Sequence, residues 1–379
     1  MTNTGYFTSD DCDLDAFKTL CNQTLDPAQV PLATDVQRNV PIYDVAQFPD
    51  LLNNRFFKSE WAHTLLNGAG VLVLKNAYAD TSAIDAATAI FTQIIADEKA
   101  AGANSADHFS AGTNDRVWNS LGKLCLADPE TFARYFGNPA IQAVSEAWLG
   151  PNYQMTAQVN LVHPGGAAQQ AHRDYHLGFQ TSEVSAGYPA HVHDLSPVLT
   201  LQGAVAHCDM SVDSGPTKLL PFSQAFRAGY AAWRLPEFRA YFEEAYIQLP
   251  LAKGDALFFN PALFHAAGEN RTTDVHRMAN LLQVSSAFGR ALENIDRTTM
   301  CRALFPVLSQ LNLSDADKNA AIASCAEGYS FPTNLDSDPP VGGLAPETQA
   351  VLFHRALNDG MDAATFNAAL DDITARKRA

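Results

Sequence analysis

A mainly β fold with flanking helices, built on a jelly-roll or double-stranded β-helix core, is what this sequence predicts. Between residues 150 and 290 the chain breaks into short runs rich in β-branched and aromatic residues, separated by Gly, Pro, Asn and Asp. Eight of the eleven histidines fall between 163 and 276, inside that stretch, which suits a site held on rigid strands. On either side the pattern turns Ala-rich and helical.

The elements follow in order. Residues 1–56 mix short apolar stretches with prolines and are expected to form an N-terminal extension wrapped on the core. Asn67-Gly68-Ala69-Gly70 leads into Val71-Leu72-Val73-Leu74, whose length and β-branching predict a short buried strand. Residues 81–100 predict a helix with Thr81 or Ser82 as N-cap. Residues 128–149 read as two short helices split at Gly137-Asn138-Pro139. Strands are expected over 153–163, closed by Pro164-Gly165-Gly166, over 199–208, over 256–260 after the Lys253-Gly254-Asp255 turn, and over 277–285. Ser314 should cap a helix through Ala323, and 346–376 holds further helix after a Pro/Gly-rich loop at 332–345. The expected division is therefore an extension at 1–56, a jelly-roll domain at 57–295 and a C-terminal helical extension at 296–379.

Composition bounds the function. The chain has 379 residues, 47% hydrophobic and 17% charged, as in folded proteins with a substantial core. Its formal net charge is −16, from 25 Lys and Arg against 41 Asp and Glu. Nucleic acid and anionic membrane both demand basic surfaces, so neither is an expected partner. The opening MTNTGYFTSDDCDLD lacks the basic and apolar regions of a signal peptide, and no run reaches the length of a membrane span. Six scattered cysteines without a CxxC pair read as reduced thiols, so a cytoplasmic location is expected. Oligomeric state leaves no signal in the sequence.

The chemistry concentrates at His172-Arg173-Asp174. Residues at i and i+2 of an extended strand point to one face, so this histidine and aspartate can grip one metal from one side. His265, far downstream, can supply a third ligand. Two histidines and one carboxylate leave the remaining coordination positions open, the arrangement of non-haem Fe(II) oxygenases. A pair of satisfied core histidines is the competing reading for His172 and His265 alone. By the same period of two, His176 shares the side of His172 and Asp174.

Several stretches stand in a telling order. Leu66-Asn67-Gly68-Ala69-Gly70-Val71 opens it, and Gly150-Pro151-Asn152 follows, with a strand and Pro164 behind it. Then come His172-Arg173-Asp174-Tyr175-His176 and Lys253-Gly254-Asp255-Ala256-Leu257, running on through His265-Ala266-Ala267-Gly268. Asp213-Ser214-Gly215-Pro216-Thr217 fits the turn between them. In order and spacing this resembles the phytanoyl-CoA dioxygenase family of Fe(II)/2-oxoglutarate oxygenases, over roughly residues 60–290.

The resemblance implies that His172, Asp174 and His265 hold Fe(II), with 2-oxoglutarate and dioxygen taking the open positions. Succinate and carbon dioxide are then released as a substrate C–H bond is oxidised. Related halogenases carry a small residue where Asp174 stands, so hydroxylation or a related oxidation is implied. The family places an arginine about a dozen residues after the distal histidine, as a bidentate partner for the distal carboxylate of 2-oxoglutarate. Arg277 fits that place, ahead of Arg271 in a polar turn. Lys123 lies one position from a family lysine that contacts 2-oxoglutarate, a solvated lysine being the equal alternative. By family register the face of 153–163 bearing Met155, Ala157, Val159 and Leu161 looks inward, which sets Val159 at the cosubstrate, with ordinary core as the equal alternative. The family also has a histidine at the place of His176, which is expected to orient the ligands or touch substrate. Phe179 is a candidate pocket wall, with plain core as the alternative. His207, in a second HxD at His207-Cys208-Asp209, is expected to support the ligands or line the pocket. His191 and His193 are expected in a surface loop.

Three functions remain open on the sequence. One is a 2-oxoglutarate-dependent dioxygenase acting on a small molecule. Another is a non-catalytic jelly-roll protein that keeps a metal for binding or sensing. The last is a cupin-like metal enzyme that does not use 2-oxoglutarate. Arg277 favours the first, since neither rival needs it. From 150 to 226 only Arg173 and Lys218 are basic, and 180–198, the loop expected to reach substrate, has no basic residue but holds Glu183 and Asp194. Coenzyme A phosphates would want cations there, so a neutral or amine-bearing substrate is expected in place of an acyl-CoA.

Overall fold

The computed structural model describes residues 5–48, 52–102, 114–332 and 334–378. Its strands are β1 (Asp35–Gln37), β2 (Val40–Asp44), β3 (Val71–Lys75), β4 (Asp115–Val117), β5 (Gln154–Val162), β6 (Thr200–Ala206), β7 (Lys218–Leu220), β8 (Ala256–Phe259), β9 (Phe264–Ala266) and β10 (Arg277–Ser285). Eight of these form one sheet in the order β1-β2-β3-β8-β6-β10-β5-β4, and β7 pairs with β9 in a second. Only β2 and β3 run parallel, so the large sheet is mixed.

Helices account for 45% of the residues, so the expected mainly β chain is a mixed one. The excess lies partly inside the stretch read as strands. Ser182–Ala186, Ala190–Val198, Gly229–Ala232 and Pro236–Ala245 are helical, and the first two replace the surface loop expected around His191 and His193. These segments are too short to show a helical period. Residues 1–56 also do more than wrap the core, because β1 and β2 extend the main sheet. Elsewhere the signals hold. The helix Ser82–Ala100 starts where expected, though Thr81 makes no side-chain cap. Ser314 and Asp317 cap Asp315–Cys325 reciprocally.

The sheet has two unlike faces. One carries Ala157, Val159, Leu201, Val205, Phe258 and Leu282, which pack with residues of helices such as Phe91, Tyr135 and Leu304 in the main core. Period-two alternation turns Gln158, Asn160, Gln202 and Gln283 to the other face, where they line a cavity with His265 of β9 on its far wall.

His172 does not lie in a strand. It forms one isolated bridge with His265, and the Asp174 N–H donates to the Pro261 carbonyl at 3.0 Å. The backbone then swings through positive φ at Tyr175 (62°) and His176 (39°). This swing breaks the period of two, so His176 leaves the side of the ligands.

Candidate active site

The cavity has a volume of about 820 Å³ and is lined by His172, Asp174, His265 and Arg277 among others. One ligand atom from each of His172, Asp174 and His265 lies within 4.8 Å of the other two. His172 Nε2 is 3.7 Å from Asp174 Oδ1, and His265 Nε2 is 3.4 Å from Asp174 Oδ2. Both imidazoles donate from Nδ1 to a backbone carbonyl at 2.8 Å, His172 to Gln170 and His265 to Leu263. A carbonyl only accepts, so Nδ1 carries the proton in each ring and the Nε2 lone pairs converge. Burial holds His172 below its usual pKa, with Asp174 opposing and His265 adding to the effect. Burial by itself would raise Asp174, but His172, His265 and Gln202 outweigh it and hold the carboxyl well below the usual range. Neutral imidazoles and an ionised carboxylate are the donors a divalent metal needs, so the residues present fit an iron ion.

Arg277 opens β10 and is 6% exposed. Its guanidinium makes one long contact, to the Gly268 carbonyl at 3.5 Å, and no carboxylate pairs with it among the described residues. Burial pulls its pKa down to about 10. A buried cation in the same cavity as His172, Asp174 and His265 has the charge and donors that fit a carboxylate such as that of 2-oxoglutarate. Arg271 is exposed and pairs with Asp213 at 3.2 Å.

Other expected residues part ways here. Phe179 lines the cavity and is half exposed. Lys123 pairs with Glu98 on the helix Ser82–Ala100 and does not line the cavity, because its helix Ser120–Ala127 packs on the far side of the sheet. Val159 is fully buried on the helix-facing side of β5, so the inward face is that of Gln158 and Asn160, opposite to the expected one. His207 is also turned to the helices. Its Nδ1 meets the Thr88 hydroxyl at 2.8 Å and its Nε2 the Tyr135 hydroxyl at 2.7 Å, which makes it a satisfied core histidine. His176 is half-buried outside the cavity, 3.2 Å from the Ser196 hydroxyl. His193 is buried against the Ser185 carbonyl at 3.1 Å, and His191 is exposed.

Several cavity residues were not anticipated. Gln202 donates to Asp174 Oδ2 and so fixes the carboxylate from the sheet side. Tyr175, Trp118 and Glu293 also line the cavity. The available signal was the run of amide side chains at alternating positions of strands otherwise apolar. Arg173 points away from the ligand atoms. Its guanidinium donates to the carbonyls of Ser223 at 2.6 Å and Phe226 at 2.9 Å and lies over the Tyr230 and Phe264 rings. Tyr230 in turn donates to the Asp174 carbonyl at 3.2 Å. The segment between His172 and Asp174 is thus fastened from behind.

Residues 66–279, more than half of the chain, match the family described as Phytanoyl-CoA dioxygenase. The chain belongs to the phytanoyl-CoA dioxygenase family. Members of this family are non-haem iron oxygenases that depend on 2-oxoglutarate, and the chain is of that class. It is similar to Dioxygenase olcK of Penicillium canescens, 24% identical over 71% of this chain and 79% of the relative. It is also similar to Dioxygenase trt7 of Aspergillus terreus, 29% identical over 37% of this chain and 45% of the relative, so that match spans less than half of trt7. Among solved structures it is similar to the non-heme alpha ketoglutarate dependent epimerase SnoN from nogalamycin biosynthesis, 19% identical with a TM-score of 0.40, over 63% of this chain and 84% of SnoN. No described helix is long and apolar enough to cross a membrane.

Proposed function

We propose that this member of the phytanoyl-CoA dioxygenase family oxidises a C–H bond of a small molecule, most simply by hydroxylation, and that residues 57–295 form its catalytic unit on a jelly-roll core. The observation that carries the reading is one cavity holding both the His172, Asp174 and His265 ligand atoms and the buried, unpaired Arg277. A metal kept only for structure or sensing has no use for such an arginine, nor has a cupin-like enzyme that does without 2-oxoglutarate. Two facing sheets, with a ligand on β9 of the smaller one, support the jelly-roll reading.

Each side chain has a task. His172 and His265 offer lone pairs already aimed by the Gln170 and Leu263 carbonyls. Asp174 supplies charge in an orientation set by Gln202. Arg277 receives the distal carboxylate of the cosubstrate and so fixes which way it lies. Trp118, Phe179 and Trp233 wall the cavity and limit water. When bound, iron with 2-oxoglutarate and dioxygen supplies the oxidising power, and succinate and carbon dioxide are released.

The cavity volume is that of a small-molecule site. Arg116, Arg173 and Arg277 are the basic residues among those that line it, and Arg173 is spent on backbone carbonyls. That supports a neutral or amine-bearing substrate over an acyl-CoA. The segment 180–198 does not reach the cavity as expected, since none of it lines the cavity and Asp194 pairs with Arg227. Six free thiols support a cytoplasmic location. The test is iron-dependent release of carbon dioxide from 2-oxoglutarate, stimulated by a panel of acyl-CoAs, free acids, alcohols and amines. Release that is lost in His265→Ala and stimulated by an uncharged or amine compound is expected. Stimulation by acyl-CoAs alone would reverse the substrate reading, and no iron-dependent release would reverse the enzymatic one.

A further inference from the structure

The geometry points to an ammonium site at the substrate end of the cavity, in which Glu293 and Tyr175 receive a protonated amine of the substrate. The inference rests on the oxygenase reading above and names its substrate class.

Glu293 follows β10 and lines the cavity. Its Oε1 accepts the Asn119 N–H at 2.6 Å, which pins the side chain. Its Oε2 is buried and has no partner among the described residues. Burial lifts its carboxyl above the usual value, against Asn119, Lys123, the Ala157 N–H and the Gln158 side chain, and a cation at Oε2 would relieve that cost. The cations around it have other partners among the described residues. Lys123 is bound to Glu98, Arg173 to backbone carbonyls and Arg116, which lines the same cavity, to Gln158 Oε1 at 3.2 Å, and no salt bridge to Glu293 occurs among the described residues. Arg277 stands at the start of β10, whereas Glu293 lies beside Gln158, which pairs with Leu281 further along that strand, about 13 Å away.

Tyr175 supplies a second group. It follows the ligand Asp174, is 4% exposed, lines the cavity, and its hydroxyl has no partner. Its backbone, at φ 62° and ψ 155°, occupies a region that residues with side chains rarely adopt. Strain of this kind gathers where a side chain must be placed for function.

The sheet adds acceptors. Gln202 must turn its NH₂ to the Asp174 carboxylate, which only accepts, so Oε1 is the atom left over, and it is buried without a partner. The Gln283 amide oxygen, whose residue pairs with Gln202 across the sheet, is in the same condition. An ammonium brings three donors and no acceptor. A wall made of one carboxylate oxygen, a hydroxyl and amide oxygens matches it in both charge and hydrogen bonding. A hydroxyl substrate would leave the Glu293 charge unneutralised, and a carboxylate would be repelled by it.

The test uses the whole protein and matched probes, phenethylamine against 2-phenylethanol and cyclohexylamine against cyclohexanol. Binding is read by quenching of tryptophan fluorescence, since Trp118 and Trp233 line the cavity. It is read with and without iron and 2-oxoglutarate, and coupled carbon dioxide release is followed in parallel. Amines should act at concentrations at least ten times lower than their alcohol partners. Glu293→Gln keeps an acceptor for Asn119 but loses the charge, and should abolish that preference while iron and 2-oxoglutarate binding stay unchanged. Should that variant not fold, Tyr175→Phe should reduce the preference several-fold. No amine preference in the unaltered protein, or one that survives in Glu293→Gln and Tyr175→Phe, overturns the inference. Failure to bind iron and 2-oxoglutarate would instead strike the oxygenase reading, and the fluorescence measured without them still decides on the amine.

Discussion

Arg277→Ala should uncouple 2-oxoglutarate from the protein without damaging the fold. Burial draws this guanidinium from 12.5 to about 10, equivalent to roughly 3 kcal/mol at about 1.4 kcal/mol per decade. One contact of 3.5 Å to Gly268 does little to offset that cost. A carboxylate arriving at Arg277 finds donors that nothing else satisfies, and losing such a buried charged pair costs on the order of 2–5 kcal/mol. Affinity for 2-oxoglutarate should therefore fall by about 30-fold to a few thousand-fold. Anaerobic calorimetric titration of the metal-loaded protein measures it directly. Thermal unfolding gives a second view. At a ligand concentration about 100 times Kd the unaltered protein gains roughly 2.7 kcal/mol, and Arg277→Ala at that concentration should gain at most about 0.9 kcal/mol. The variant without ligand should unfold near the temperature of the unaltered protein, because an unpaired buried charge has been removed along with its packing. Arg271→Ala, at an exposed pair with Asp213, should bind 2-oxoglutarate within about twofold of normal. An Arg277→Ala affinity within twofold of normal, or a larger loss in Arg271→Ala, would refute the assignment of the socket.

Further outcomes follow from the same geometry. His172→Ala and His265→Ala should each lose iron by elemental analysis while far-ultraviolet circular dichroism stays native, and full iron content in both would rule out the triad. Val159→Ala should cost about 1–3 kcal/mol of stability in urea melts and leave 2-oxoglutarate affinity unchanged, since the side chain sits among the helices. Lys123→Ala should likewise leave that affinity unchanged, as its partner is Glu98. His207 titrates at about 3 against 6.5 for the free side chain, because burial disfavours its charged form and Lys253 adds to this while Asp85 opposes. The unfolded chain thus takes up the proton first, and stability present at neutral pH declines as the pH falls from about 6.5 towards 3, by at most about 5 kcal/mol from this group. Urea melts of His207→Gln over that range should show a shallower decline, and an identical one would show that other groups dominate.

That His172, Asp174 and His265 would meet was legible because two of the constraints are local, the i and i+2 spacing and the turn before β8. The positions of β3, β5, β6, β8 and β10 were legible for a similar reason, as Gly and Pro mark most of their ends, whereas β1, β2, β4, β7 and β9 were not. Faces were not. Alternation along β5 reveals that Val159 and Gln158 look opposite ways, but not which way the cavity lies. Apolar residues were expected inward, yet this sheet turns them to the helices and gives its amide-bearing face to the cavity. His176 misled because the period of two presumes an extended backbone, and no pattern announces a tyrosine at φ 62°. Lys123 and His207 were misplaced because each finds its partner on the helix Ser82–Ala100, from segments distant in the chain. Gln202 could have been suspected from its polarity amid buried neighbours, but its hold on Asp174 exists only in three dimensions.

Arg173 gives the site an unexpected reach. Its fastening depends on the space left by Gly229, where an added Cβ would come within 1.9 Å of the arginine Cζ. One methyl group at 229, on a helix outside the His172, Asp174 and His265 cluster, would force the guanidinium off the Ser223 and Phe226 carbonyls and loosen His172 and Asp174 on either side of it. The proposed metal site is therefore open to control from a largely buried helix outside it, and a designer seeking to weaken metal binding by degrees could work at position 229 and leave His172, Asp174 and His265 in place.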